Sequence, residues 1–168
     1  MLQTICGSRF FSSVGGLYLD LDVTIRKNPF PLFSGLKFAV GYETDSRIGT
    51  SVIFAHSSSE ILSEMISFYE NGIWDSPLYI GPHIFTELLI NNNIFGIEDS
   101  KFFPRGYFNP YQGEDIFFTC PDEAYLVHWY QHSWRDAPNM TFLKSKHLSF
   151  WKKVYVWQKY FFQVKLRR

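Results

Sequence analysis

Gly15-Gly16-Leu17-Tyr18-Leu19-Asp20-Leu21-Asp22-Val23 is the stretch on which the reading of this chain turns. A glycine pair breaks the preceding segment, a short apolar run follows, and two aspartates stand one residue apart. The run from Leu17 to Leu21 predicts a strand. In a strand, side chains alternate faces, so Asp20 and Asp22 project together while Leu19, Leu21 and Val23 take the other side. Two carboxylates on one face repel unless a cation lies between them, and hard oxygen ligands of this kind suit Mg²⁺ or Mn²⁺. An ion held there keeps open positions for the phosphates of a nucleotide.

Working outward, Asn28-Pro29-Phe30-Pro31 is a turn leading away from the aspartates. Phe38–Tyr42 and Ser51–Ala55 are short apolar runs with the look of strands. Ser57 with Glu60 three residues on forms a capping-box pattern. The helix it opens would set Ile61, Leu62, Met65, Ile66 and Tyr69 on one stripe. Gly81-Pro82 starts another helix, with proline in the tolerated first turn and Ile84, Phe85, Leu88 and Leu89 facing inward. Ala124–Trp129 is a late strand, and the tail from Leu148 to Val164 predicts a helix, with a strand as the alternative. Strands alternating with helices predict an α/β fold with a mainly parallel sheet. Ligands of such sheets bind beyond the carboxyl ends of the strands, which is where Asp20 and Asp22 fall.

The 168 residues amount to one domain with a sizeable core, and an apolar content of 46% argues against a disordered chain. Aromatic residues reach 20%, a surplus that suits proteins gripping sugars, bases or a membrane interface. The net charge of zero conceals an asymmetry: all 16 acidic residues lie at or before Asp136, and residues 137–168 carry eight Lys/Arg and no acid. That basic tail also holds Trp151, Tyr155, Trp157, Tyr160, Phe161 and Phe162, a composition suited to anionic lipid headgroups through residues 149–168. A terminal helix packing its rings on the domain is the alternative. The acidic body argues against nucleic acid as a partner. Cys6 and Cys120 read as free thiols, with no metal-site spacing between them. No apolar run approaches the ~20 residues needed to span a bilayer.

Three features occur in order: Gly15-Gly16 with Tyr18, Asp20 and Asp22; Gly81-Pro82 opening a helix; and His128 followed by Ser133-Trp134. In this the chain resembles the family of sugar transferases containing a DxD motif. That family includes the yeast-type initiating α-mannosyltransferases, inositol-phosphoceramide mannosyltransferases and bacterial capsule or lipopolysaccharide glycosyltransferases. The resemblance covers about Val14 to Trp134. It implies a glycosyltransferase-A fold and a retaining transfer of a hexose-type sugar from a nucleotide-sugar donor to a glycan or glycolipid acceptor. It also implies Mn²⁺ or Mg²⁺ held by Asp20, Asp22 and His128, and donor contacts from Tyr18, Asp20, Ser133 and Trp134. The helix at Gly81-Pro82 would line the acceptor side with His83, Thr86 and Glu87, although Glu87 also reads as a solvated helix residue. In a bacterium the family implies a cytoplasmic, membrane-peripheral enzyme, and in a eukaryote a Golgi-lumenal one.

The resemblance divides the chain into a poorly matching segment 1–14, a partial transferase domain 15–136 and the basic aromatic segment 137–168. Family members carry nucleotide-binding strands ahead of the glycine pair, so this reading expects the base-recognition half of the donor site to be missing. An inactive remnant that binds a partner or a glycan through its aromatic surface is therefore the alternative function. The sequence displays no obvious covalent nucleophile.

Overall fold

The computed structural model describes residues 13–91, 99–111, 118–130, 145 and 147–165. Its main sheet has the order β1-β4-β3-β5, from β1 (Gly16–Leu19), β3 (Phe38–Thr44), β4 (Arg47–Ala55) and β5 (Ser100–Phe103). A separate two-stranded ribbon pairs β2 (Val23–Ile25) with β6 (Leu126–His128). The architecture is mixed α/β with an open sheet and flanking helices.

The sheet is mixed rather than mainly parallel. β1 and β3 both run antiparallel to β4, and only β3 with β5 is parallel. The reason is local. β3 and β4 are joined by the two-residue turn Asp45-Ser46, and so tight a connection permits only an antiparallel return. The strand read at Ser51–Ala55 starts four residues earlier, at Arg47, so the turn is hidden inside what looks like a polar gap.

β3 is buried on both faces, and its alternation sorts the core into two halves. Phe38 and Val40 face one side, with Ile48 and Ala55 of β4. There they meet Ile61, Leu62 and Met65 of α1 (Glu60–Ser67) and Ile84 and Phe85 of α2 (Gly81–Thr86). Ala39 and Val52 face the other side, against Phe33, Phe103, Phe108 and Leu126. Phe33 ends the 3-10 turn Phe30–Phe33, and Phe108 belongs to the short helix α3 (Arg105–Phe108). Leu17, Leu19 and Val23 pack on this second half, which brings the aspartate-bearing segment to that face.

The α1 stripe matches the expected register, but its cap is Ser59 rather than Ser57. The Ser59 hydroxyl accepts from the Leu62 amide at 3.2 Å, so Glu60 is the first helical residue and cannot close a capping box with Ser57. The expected tail helix is α4 (Phe150–Lys165). No helix among the described residues is long and apolar enough to cross a membrane. Cys120 is a free thiol, and Cys6 lies outside the described residues.

The glycine pair has a steric reason. Gly15 sits at φ +71°, and a Cβ there would come 2.8 Å from the Ser57 amide nitrogen and 3.0 Å from the Ala55 carbonyl. Only glycine lets the chain turn against the end of β4 and enter β1.

Candidate metal centre

Asp20 and Asp22 do not share a strand face. β1 ends at Leu19, paired with Val52, and the Asp20 amide makes one further ladder bond to the Ser51 carbonyl at 2.9 Å. The chain then folds back, with the Val23 amide donating to the Asp20 carbonyl at 3.1 Å. This tight turn, not the alternation of an extended strand, carries the two carboxylates to one side. Leu21 at its tip is fully exposed instead of facing the core.

The ribbon supplies the third group. β2 pairs with β6 so that Val23 lies opposite His128, and the Trp129 amide donates to the Asp22 carbonyl at 3.0 Å. A residue 106 positions away in the chain is thereby set beside Asp22. His128 Nε2 lies 3.4 Å from Asp22 Oδ2. Asp20, Asp22 and His128 each offer a ligand atom, and the three atoms lie within 4.8 Å of one another. All three residues are partly buried.

Such a set fits a hard divalent cation. Ligands bound at about 2.1 Å in octahedral geometry stand ~3.0 Å apart when adjacent and ~4.2 Å when opposite. The His128–Asp22 separation of 3.4 Å falls inside that range, and the whole set spans no more than 4.8 Å. A histidine ligand usually donates its second ring N–H to an acceptor. His128 Nδ1 is buried with no such partner among the described residues.

The electrostatics point the same way. Burial raises the Asp20 carboxyl above its ordinary range, and the neighbouring Asp22 charge adds to this. The Tyr18 hydrogen bond and the His128 ring pull in the opposite direction. Tyr18 donates its hydroxyl to Asp20 Oδ1 at 2.6 Å, and burial together with that bond raises the phenol. Tyr18 thus holds one aspartate in place.

No family model matches the chain, and neither the curated proteins nor the solved structures give a match.

Around the centre, the remaining expected residues separate. Ser133 and Trp134 lie outside the described residues. Thr86 is a clamp: its hydroxyl accepts from the Ile48 amide at 3.0 Å and donates to the Pro82 carbonyl at 2.6 Å, fixing α2 to β4. His83 is exposed and reaches Arg47, Nε2 to Nη1 at 3.4 Å, and Glu87, exposed too, caps α2 and opens the π-helical turn Glu87–Asn91. The aromatic stretch Tyr107–Tyr111 is mostly packing: Phe108 is fully buried and the Tyr107 ring stacks on Tyr125.

Three residues near the centre escaped the sequence reading. Glu43 and Arg47 flank the Asp45-Ser46 turn and are joined by an ion pair, with the Glu43 side chain 9% exposed. Tyr130 packs its ring on His128 with centroids 4.1 Å apart, and it sits at φ +55°, a region bulky residues avoid. Burial first, then the Glu43 charge, push its phenol up to about 12, against opposing effects of Arg47 and Arg105. An acid and a base bracketing the polar gap Thr44-Asp45-Ser46 was the available signal for the Glu43–Arg47 pair. Nothing local marked Tyr130.

Proposed function

We propose that this chain is a metal-assisted, retaining glycosyltransferase of the glycosyltransferase-A type, moving a hexose-type sugar from a nucleotide sugar to a glycan or glycolipid. The observation that carries the reading is the convergence of Asp20, Asp22 and His128 from two remote segments onto one small volume. Asp20, Asp22 and His128 would hold Mn²⁺ or Mg²⁺, and Tyr18 fixes the rotamer of Asp20. The ion, when bound, offsets the negative charge of a departing nucleoside diphosphate. By the resemblance, Ser133 would give its hydroxyl, and Trp134 its indole N–H, to the diphosphate oxygens.

With no covalent nucleophile in view, the acceptor hydroxyl would attack the anomeric carbon from the face that the diphosphate leaves. The C–O bond to the phosphate breaks, the new glycosidic bond forms, and the departing phosphate oxygen takes the acceptor's proton. His83, exposed beside Arg47, and the exposed Glu87 are the acceptor-side candidates, whereas Thr86 spends its hydroxyl on the Ile48 amide and the Pro82 carbonyl.

The test is donor turnover by the full chain. Incubation with a panel of UDP- and GDP-sugars and Mn²⁺ should release the nucleoside diphosphate, and chelation or Asp22→Ala should stop it. If no donor is bound or cleaved while Mn²⁺ still binds the wild type more tightly than Asp22→Ala, the centre stands as a metal site and the sugar-transfer reading fails. If Mn²⁺ binds both proteins alike, the metal centre fails as well.

A further inference from the structure

The charge asymmetry of the sequence acquires a surface in α4. A helix that docked its rings on the domain would hide them, yet Phe150, Trp151 and Tyr155 are 69%, 79% and 67% exposed. At about 100° per residue, these three rings and Trp157 fall within an arc of ~160° on one side of the helix. Lys153 borders that arc on one side and Lys159 and Lys152 on the other, each about 40–60° beyond the last ring. An aromatic face flanked on both edges by lysines is the arrangement of a helix lying in a membrane interface. The rings enter the headgroup boundary while the lysine stems reach back toward phosphates.

We propose that α4 docks the protein on an anionic lipid surface. The occupant is fixed by charge complementarity: residues 137–168 hold eight basic residues and no acid, whereas the rest of the chain holds 16 acidic and eight basic residues. A negatively charged bilayer attracts the helix and repels the body, so the body is held off the membrane. Nucleic acid, with its long run of phosphates, would meet the same repulsion without a bilayer interior to receive Trp151 and Tyr155. A second copy of the chain would have to place one lysine-edged face against another. The inference stands apart from the metal centre, whose residues lie on other elements.

The experiment is co-sedimentation of the full chain with vesicles of phosphatidylcholine alone and of phosphatidylcholine mixed with phosphatidylglycerol. Sedimentation should require phosphatidylglycerol and decline with salt. Lys152→Gln and Lys159→Gln should each weaken it about fivefold. Trp151→Ser combined with Tyr155→Ser should weaken it about tenfold or more. These side chains are exposed, so circular dichroism should be unchanged in every variant. Equal sedimentation of the wild type and the Trp151/Tyr155 variant would overturn the proposal. So would a dimer abolished by that variant in a chain that ignores vesicles, or RNA binding with no vesicle binding.

Discussion

Glu43 and the Asp20–Asp22 pair are carboxylates drawn partly out of water on neighbouring parts of the molecule, and they are answered in different ways. Glu43 meets the guanidinium of Arg47 across a tight hairpin turn, so its counter-charge comes from four residues along the same chain. Asp20 receives a neutral hydroxyl from Tyr18, and Asp22 faces the imidazole of His128. Neither of those partners is a permanent cation. A buried carboxylate matched by a fixed guanidinium closes a structural account. A pair whose burial and mutual repulsion raise one member describes a place that a divalent ion would settle.

The largest effect that tests this contrast is on metal affinity. Asp20→Ala and Asp22→Ala should each weaken Mn²⁺ binding by at least about 100-fold in calorimetry, because outer-shell partners alone are worth 10–100-fold. His128→Ala should cost less, since its second nitrogen lacks the acceptor that would hold the ring in register. Glu43→Gln should leave Mn²⁺ affinity within about twofold, its role being confined to the hairpin. The reverse pattern, with Glu43 decisive and Asp22 silent, would break the comparison.

Stability gives the next test. Mn²⁺ at a hundred times its dissociation constant should stabilise the fold by about 2.7 kcal/mol. In a chain of this size that is a rise of ~5–10 °C in thermal midpoint. Asp20→Asn and Asp22→Asn should lose the rise and Glu43→Gln should keep it. Without metal the order inverts. Glu43→Gln should destabilise by about 1 kcal/mol, a modest cost because the Arg47 side chain is 41% exposed and water takes over its charge. Asp20→Asn should be neutral or slightly stabilising, because the amide oxygen still accepts from Tyr18 while the repulsion with Asp22 disappears.

The same contrast explains what the sequence disclosed. Asp20 and Asp22 were legible from their spacing, His128 joined them only through the resemblance to the DxD transferases, and the ribbon does bring the three together. The apolar runs of β3 and β4, the α1 stripe and the α2 start at Gly81-Pro82 were legible for a similar reason: burial writes itself as periodicity. The turn at Leu21 was not. A strand pattern continues through Asp20 and Asp22, and only the Val23–Asp20 backbone bond reveals the fold-back. The antiparallel return of β4 was hidden by Arg47 and Thr50, polar residues at the start of a strand that is otherwise buried. In the run Ser57-Ser58-Ser59 any serine can cap, and tertiary packing selects Ser59. Tyr130 packs on His128 two residues before it, but its left-handed backbone and the charges of the remote Glu43–Arg47 pair are not contained in any local window.

The smallest effect, and the one that sharpens the comparison most, is in pH. Burial raises the folded-state carboxyl of Asp20 above its ordinary, unfolded-state value. Between that value and the raised one, the native chain holds a proton that the unfolded chain has released. Stability from this group therefore falls as pH rises through the window and stays lower above it. Metal binding reverses the slope, because the ion needs the carboxylate and displaces that proton. Thermal unfolding followed across the acid range should give a metal-free contribution that declines with rising pH, and a Mn²⁺-dependent increment that grows over the same interval. Both slopes should vanish in Asp20→Asn and survive in Glu43→Gln. A Mn²⁺ increment that is flat with pH, or that keeps its slope in Asp20→Asn, would mean that Asp20 is not a ligand and that the turn holds the two aspartates together for a structural reason alone.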